Sequence, residues 1–165
     1  MLALLCILLV CILPTSGQNL TSQRLSEHGT WYDFVYCPND SYAYGFQLKY
    51  EKYHSGGLLY DNTGVNTIYL YCSKPHVRER GEVKIFSGNG PFGSDGQIFK
   101  CRENEFIVGF TTLFMGPELS DDTGIDNLKV TCSDGTDLTG DGRNGTGDDT
   151  ALNNVDMECC ERHDH

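Results

Sequence analysis

Apolar and polar residues alternate with a period of two along five stretches of this chain. Ile68, Leu70 and Cys72 share a face of one stretch, Leu128, Val130 and Cys132 of a second, and Val155, Met157 and Cys159 of a third. Further upstream, Tyr44, Phe46, Leu48 and Tyr50 share a face, matched by Val108, Phe110, Thr112 and Phe114. Such alternation predicts half-buried strands. No segment of useful length carries the helical period, and Gly-rich turns separate the runs. The fold class predicted is all-β.

The strands recur as a repeat. Asp61–Cys72, Asp121–Cys132 and Asp148–Cys159 align without gaps, each opening on an acidic turn and ending in cysteine. The turn residues are Asp61 and Thr63, then Asp121, Asp122 and Thr123, then Asp148, Asp149 and Thr150. Short polar side chains that bond their own backbone explain them most simply. A second repeated piece places Cys37 eight residues before Gly45-Phe46 and Cys101 eight residues before Gly109-Phe110. Pairing Cys37 with Cys72 and Cys101 with Cys132 uses equivalent positions in both repeats, although spacing alone leaves other connectivities open. Each such bridge would stabilise by roughly 3–4 kcal/mol.

The third repeat is short. Ser133–Gly147 holds no cysteine, no aromatic residue and no Gly-Phe strand, and its Asp/Gly/Thr composition reads as a mobile loop unable to build a sheet. Val155–Cys159 is then expected to dock against the first two sheets. The incomplete third sheet would invite self-association, and Cys159 and Cys160 are left without assigned partners.

The ends of the chain bear on compartment. Leu2–Leu13 is an apolar run followed by Pro14, Thr15, Ser16 and Gly17. It has signal-peptide length and is too short to span a bilayer, so residues 1–17 read as a leader. Residues 18–28 read as an N-terminal extension, 29–160 as the repeat domain and 161–165 as a polar tail. Two of the eight cysteines, Cys6 and Cys11, leave with the leader, and an even set in a secreted chain reads as disulfides rather than a metal site. Asn19, Asn39 and Asn144 open N-x-S/T sequons. A net charge of −11 argues against nucleic acid, and no later stretch predicts membrane insertion.

Catalytic chemistry leaves little trace. Glycosidic chemistry needs two carboxylates roughly 5–10 Å apart, yet the repeat-turn aspartates should lie at symmetry-related places. Glu103, Glu105 and Glu118 are not paired by any motif, and no nucleophile elbow, HExxH or phosphate loop is present. Catalytic residues are therefore unassigned, and no metal or cofactor is expected. Asp137, Thr139, Asp141, Gly142 and Asp148 match positions of a calcium loop, but no helices flank them and a flexible linker is favoured. Trp31 and the nine tyrosines are the residues suited to stacking on sugar faces, most of them being expected in packing.

Taken together, the Cys, Gly-Phe strand and D-x-T…C strand make the chain resemble the vitelline membrane outer layer protein family. Asp148–Val155 with Cys159-Cys160, and Cys132-Ser133-Asp134-Gly135, carry the resemblance most specifically. The resemblance implies a β-prism, three Greek-key sheets around a pseudo-threefold axis, with the third sheet incomplete here. It implies a secreted structural component of an extracellular coat, with glycans or coat proteins as partners. The alternative it implies is a transferase acting on N-acetylglucosamine (chitin-type) oligosaccharides. The family's G-x-W-x-x-W signature is only partly kept, as Gly29 and Trp31.

Overall fold

The computed structural model describes residues 32–52, 63–76, 82–115 and 124–143. The leader, Asn19, Asn144, Cys159, Cys160, Asp61, Asp121, Asp122, Thr123, Asp148, Asp149, Thr150 and the strand expected at Val155–Cys159 lie outside the described residues. Seven strands and no helix occur among those described: β1 Tyr42–Tyr50, β2 Val65–Ser73, β3 Val83–Ile85, β4 Ser94–Lys100, β5 Ile107–Met115, β6 Gly124–Cys132 and β7 Asp137–Thr139. They form sheet A, ordered β3-β2-β1-β4, and sheet B, ordered β5-β6-β7, with every pairing antiparallel.

The two repeats match down to their irregularities. Ala43 faces Cys72 and Gly45 faces Tyr71, which leaves Tyr44 as an extra residue; Ile107 faces Cys132 and Gly109 faces Thr131, which leaves Val108. Further along, Asn66 of β2 and Asp126 of β6 are the extra residues. Each is a β-bulge, which displaces side chains from strict alternation. This corrects the expected face of Tyr44. The bulge sends it to the outer side with Tyr69 and Tyr71, while Phe46 and Leu48 point inward. Disulfides join Cys37 to Cys72 and Cys101 to Cys132, with Cα–Cα distances of 5.7 and 5.8 Å.

Ser133–Gly147 departs from its expectation as a sheetless loop. Within it, β7 pairs with β6 as β3 pairs with β2: Val130 faces Leu138 as Leu70 faces Ile85. The equivalence runs on, since Gly90 N–H donates to Asn66 O and Arg143 N–H to Asp126 O. The open edge of β6 needs backbone partners, and Leu138 adds to the core, so tertiary pairing overrides a poor local strand propensity. The calcium-loop residues are consequently turned to separate neighbours. Asp137 accepts from Thr131 Oγ1 (2.8 Å) and Lys129 Nζ (3.2 Å), and Asp141 accepts from Gln97 N–H (2.7 Å).

Phe46 and Leu48 of sheet A meet Leu128 and Val130 of sheet B in the buried core. The sheets approach along the β4/β7 side, where Gly96 lies against the Asp141 carboxylate with no room for a Cβ. Away from that seam, a cleft of about 320 Å³ is lined by Ile68, Leu70, Ile85, Ile125, Val35 and Tyr32, among others. Ile68 and Leu70 thus face inward as expected but, lining this cleft, are less buried than Tyr69 and Tyr71 on the other side of β2.

Candidate functional site

That other side is the outer face of sheet A. Pairing sets its side chains in rows: Lys84, Tyr71, Gly45 and Lys100 across four strands, then Tyr69, Gln47 and Ile98, then Thr67, Lys49 and Asp95. Residues of one row share a face because register is fixed and side chains alternate. Gly45 is required by close approach, since a Cβ there would meet Phe99 O at 2.7 Å.

A polar network crosses these rows. Tyr71 Oη and Lys84 Nζ donate to Gln47 Oε1, at 2.8 and 3.2 Å, and Gln47 Nε2 donates to Gly96 O at 2.8 Å. Lys84 Nζ also sits 3.5 Å from the centre of the Tyr69 ring, whose other neighbour is the exposed Phe86. Tyr44 Oη donates to Glu82 Oε2 (2.5 Å), and Lys100 Nζ reaches the same oxygen at 3.3 Å. Lys100 also lies over Tyr44 and Tyr71, at 5.4 and 5.6 Å from their ring centres. Two lysines therefore roof three buried tyrosines, an arrangement in which cation–π attraction adds to side-chain packing.

Burial raises the phenol pKa of Tyr44, Tyr69 and Tyr71, helped by the negative charge of Glu82 at Tyr44 and Tyr71 and of Asp95 at Tyr69. At Lys100 desolvation acts downward, but bonds to Tyr44 and Glu82 outweigh it and hold the ammonium above its ordinary value. All four groups bind protons more tightly folded than unfolded. Their stabilisation is complete below the ordinary values of 10.0 and 10.5 and is lost as pH rises through the raised ones. An ultraviolet titration should show these three phenols ionising above the ordinary tyrosine value, together with loss of folded structure. Their early ionisation with the fold intact would contradict the arrangement.

The second repeat shows what the fold alone requires. Where sheet A has Tyr71, Tyr69, Gln47 and Lys84, sheet B has Thr131, Lys129, Thr111 and Asp137 at the same register positions. Thr131 and Lys129 bond Asp137 there, on the same backbone pairing, so the tyrosine–lysine face is particular to sheet A. Sequence reading placed tyrosines mainly in packing and did not single out Gln47, Glu82, Lys84 or Lys100. The available signal was Tyr69 and Tyr71 standing where the aligned repeat has Lys129 and Thr131.

Beside this face lies a polar cleft lined by Tyr50, Glu51, Asp95, Gln97 and Asp141, among others. Thr63, a repeat-turn residue, helps shape its rim. Its N–H and Oγ1 both donate to Glu51 Oε2, at 3.1 and 3.0 Å, and its Oγ1 accepts from Asn66 Nδ2 at 2.6 Å. Thr63 thus clamps β1 to β2, where a bond to its own backbone was expected. Asn39 is exposed in the turn before β1.

Comparison with known proteins finds similarity over most of the chain. The family described as Vitelline membrane outer layer protein I (VOMI) matches residues 18–146. The chain is 30% identical over 167 residues to the Vitelline membrane outer layer protein 1 homolog of Homo sapiens, covering 83% of this chain and 81% of that protein. It is likewise 30% identical over 164 residues to the homolog of Mus musculus, covering 80% and 79%.

Proposed function

The chain belongs to the vitelline membrane outer layer protein I family, and from that premise we propose that it is a secreted extracellular coat protein that holds glycans on the outer face of sheet A. The observation that carries the reading is the tyrosine–lysine–glutamine network of that face, which its partner repeat lacks. Sheets A and B are then two sides of a three-sided β-prism, with the apolar faces turned inward and the polar faces outward.

Sugars present hydroxyl groups and weakly polar ring faces, and suit a site that offers both planar acceptors and aromatic rings. Gln47, Glu82 and Asp95 supply the acceptors. Lys84 and Lys100 stand on long flexible stems, and their displacement uncovers the rings of Tyr69 and Tyr71 to a sugar. Calorimetric titration with an N-acetylglucosamine oligosaccharide tests this. Lys84→Ala, which uncovers the ring, should raise affinity and Tyr69→Leu, which removes the ring, should lower it, each by about tenfold, roughly 1.4 kcal/mol, while Lys129→Ala on sheet B should leave it unchanged. Equal effects at Lys84 and Lys129 would remove the assignment to sheet A. New chain lengths in the product mixture, read by mass, would replace binding with transfer.

Secretion is supported by the apolar run Leu2–Leu13, the two disulfides and the exposed sequon at Asn39. Expressed in animal cells, the protein should reach the medium beginning at Gln18 and carrying at least one N-glycan. Cytosolic protein that retains Met1 would contradict this.

A further inference from the structure

Residues 86–93 join β3 to β4 outside any strand, and Lys49 of β1 holds one dipeptide of this loop. Its Nζ donates to Asn89 Oδ1 at 3.0 Å and to Gly90 O at 2.7 Å. Thr67 of β2 faces Lys49 in register, and its Oγ1 lies 3.1 Å from the same Asn89 oxygen and 2.7 Å from Asn66 O. Its one proton is shared between those two acceptors. Packing requires a glycine at position 90, where a Cβ would meet Asn66 Oδ1 at 2.5 Å. Asn89 itself is exposed.

We propose that Asn89 is a self-modification site, deamidated by attack of the Gly90 nitrogen on the Asn89 side-chain carbonyl, with the Lys49 ammonium stabilising the oxyanion that forms. A following glycine is the least hindered case, because no Cβ blocks the approach of its nitrogen to Cγ. Among the described residues only Asn89 has that neighbour; Asn39, Asn66, Asn104 and Asn127 precede Asp40, Thr67, Glu105 and Leu128. Donors already aimed at the oxygen where charge develops lower such a barrier, and Lys49 brings a full positive charge.

The step consumes water alone. Gly90 N gives its proton to solvent and bonds to Asn89 Cγ, the Cγ–Nδ2 bond breaks, and ammonia leaves a five-membered succinimide. Water then opens one of the two ring carbonyls, giving aspartate or isoaspartate. One contact opposes the attack: Gly90 N–H donates to Asn66 O at 3.1 Å and must let go first. This is a single bond in a loop between strands, the kind of contact that opens locally without unfolding the sheet. Either product sets a carboxylate beside Lys49 in place of a neutral amide oxygen, and a charged acceptor makes the stronger bond. The new charge falls on the outer face of sheet A, where Lys49 shares a row with Thr67 and Asp95.

Peptide mapping of the full-length, disulfide-bonded protein, held at mildly alkaline pH and sampled over time, tests this. Asn89 should gain the mass of an acid in place of an amide well ahead of Asn104, which is also exposed and accepts from His76 N–H. Lys49→Met should slow conversion at Asn89 about threefold, the scale of an exposed charge interaction, and Lys49→Arg should restore it. In the reduced chain unfolded by denaturant, the three sequences should convert alike. The native sequence alone gives one decisive comparison: an Asn89 that stays intact when folded and converts only when unfolded would overturn the proposal, because the Gly90–Asn66 bond would then protect it. Folded Lys49→Met converting as fast as the native protein, or faster, would overturn it as well.

Discussion

Phe46→Ala is expected to lower folding stability by about 3–5 kcal/mol, the range for emptying a phenylalanine site in a core. Phe46 is fully buried, stacks on Phe99 of β4, and faces Leu128 and Val130 of sheet B. Truncation therefore loosens the β1–β4 pairing and the contact between sheets at once. Its repeat counterpart, Phe110, is only partly buried, so Phe110→Ala should cost visibly less. Chemical unfolding of the two variants in parallel checks this, and equal losses would mean that the core is not centred where these side chains meet.

Removing the Cys101–Cys132 bridge should cost about 2–5 kcal/mol, as for native disulfides in small secreted domains. The bridge closes a sequence separation of 31 and ties the segment leading to β5 to the end of β6. Both sulfurs lie in buried residues, so a Cys101→Ala, Cys132→Ala pair also loses packing and should fall toward the upper end of the range. The Cys37–Cys72 bridge has a similar separation of 35, but Cys37 is only half-buried. Its removal should be the milder of the two. Non-reducing peptide mapping gives the independent check: a link from Cys37 to Cys101 or Cys132 would end the repeat-based pairing.

Much of this architecture was legible as alternation. The inward positions of Phe46, Leu48, Leu128 and Val130 follow from period two, and the equivalence of the cysteines follows from the aligned repeats. The bulge at Tyr44 was not legible, because an aromatic residue suits either face and one inserted residue leaves no mark in the pattern. β7 was hidden for a different reason. Asp137-Leu138-Thr139 is too short and too polar to signal a strand, and only the edge of β6 makes it one. β4 belongs to sheet A although its sequence leads into the second repeat, a long-range pairing that local pattern does not carry. The outer-face network left no trace in the pattern, since Glu82, Lys84 and Lys100 come from β4 and the β3 region, and neither strand announces itself by alternation.

The assignment of glycan binding to one face is the centre of the account, and an oligosaccharide titration followed by amide chemical shifts tests it most directly. With N-acetylglucosamine oligomers, shifts are predicted to concentrate at Gln47, Tyr69, Tyr71, Lys84, Asp95 and Lys100, with Thr111, Lys129 and Thr131 unmoved. Saturable shifts confined to sheet B, or none on either sheet, would contradict it.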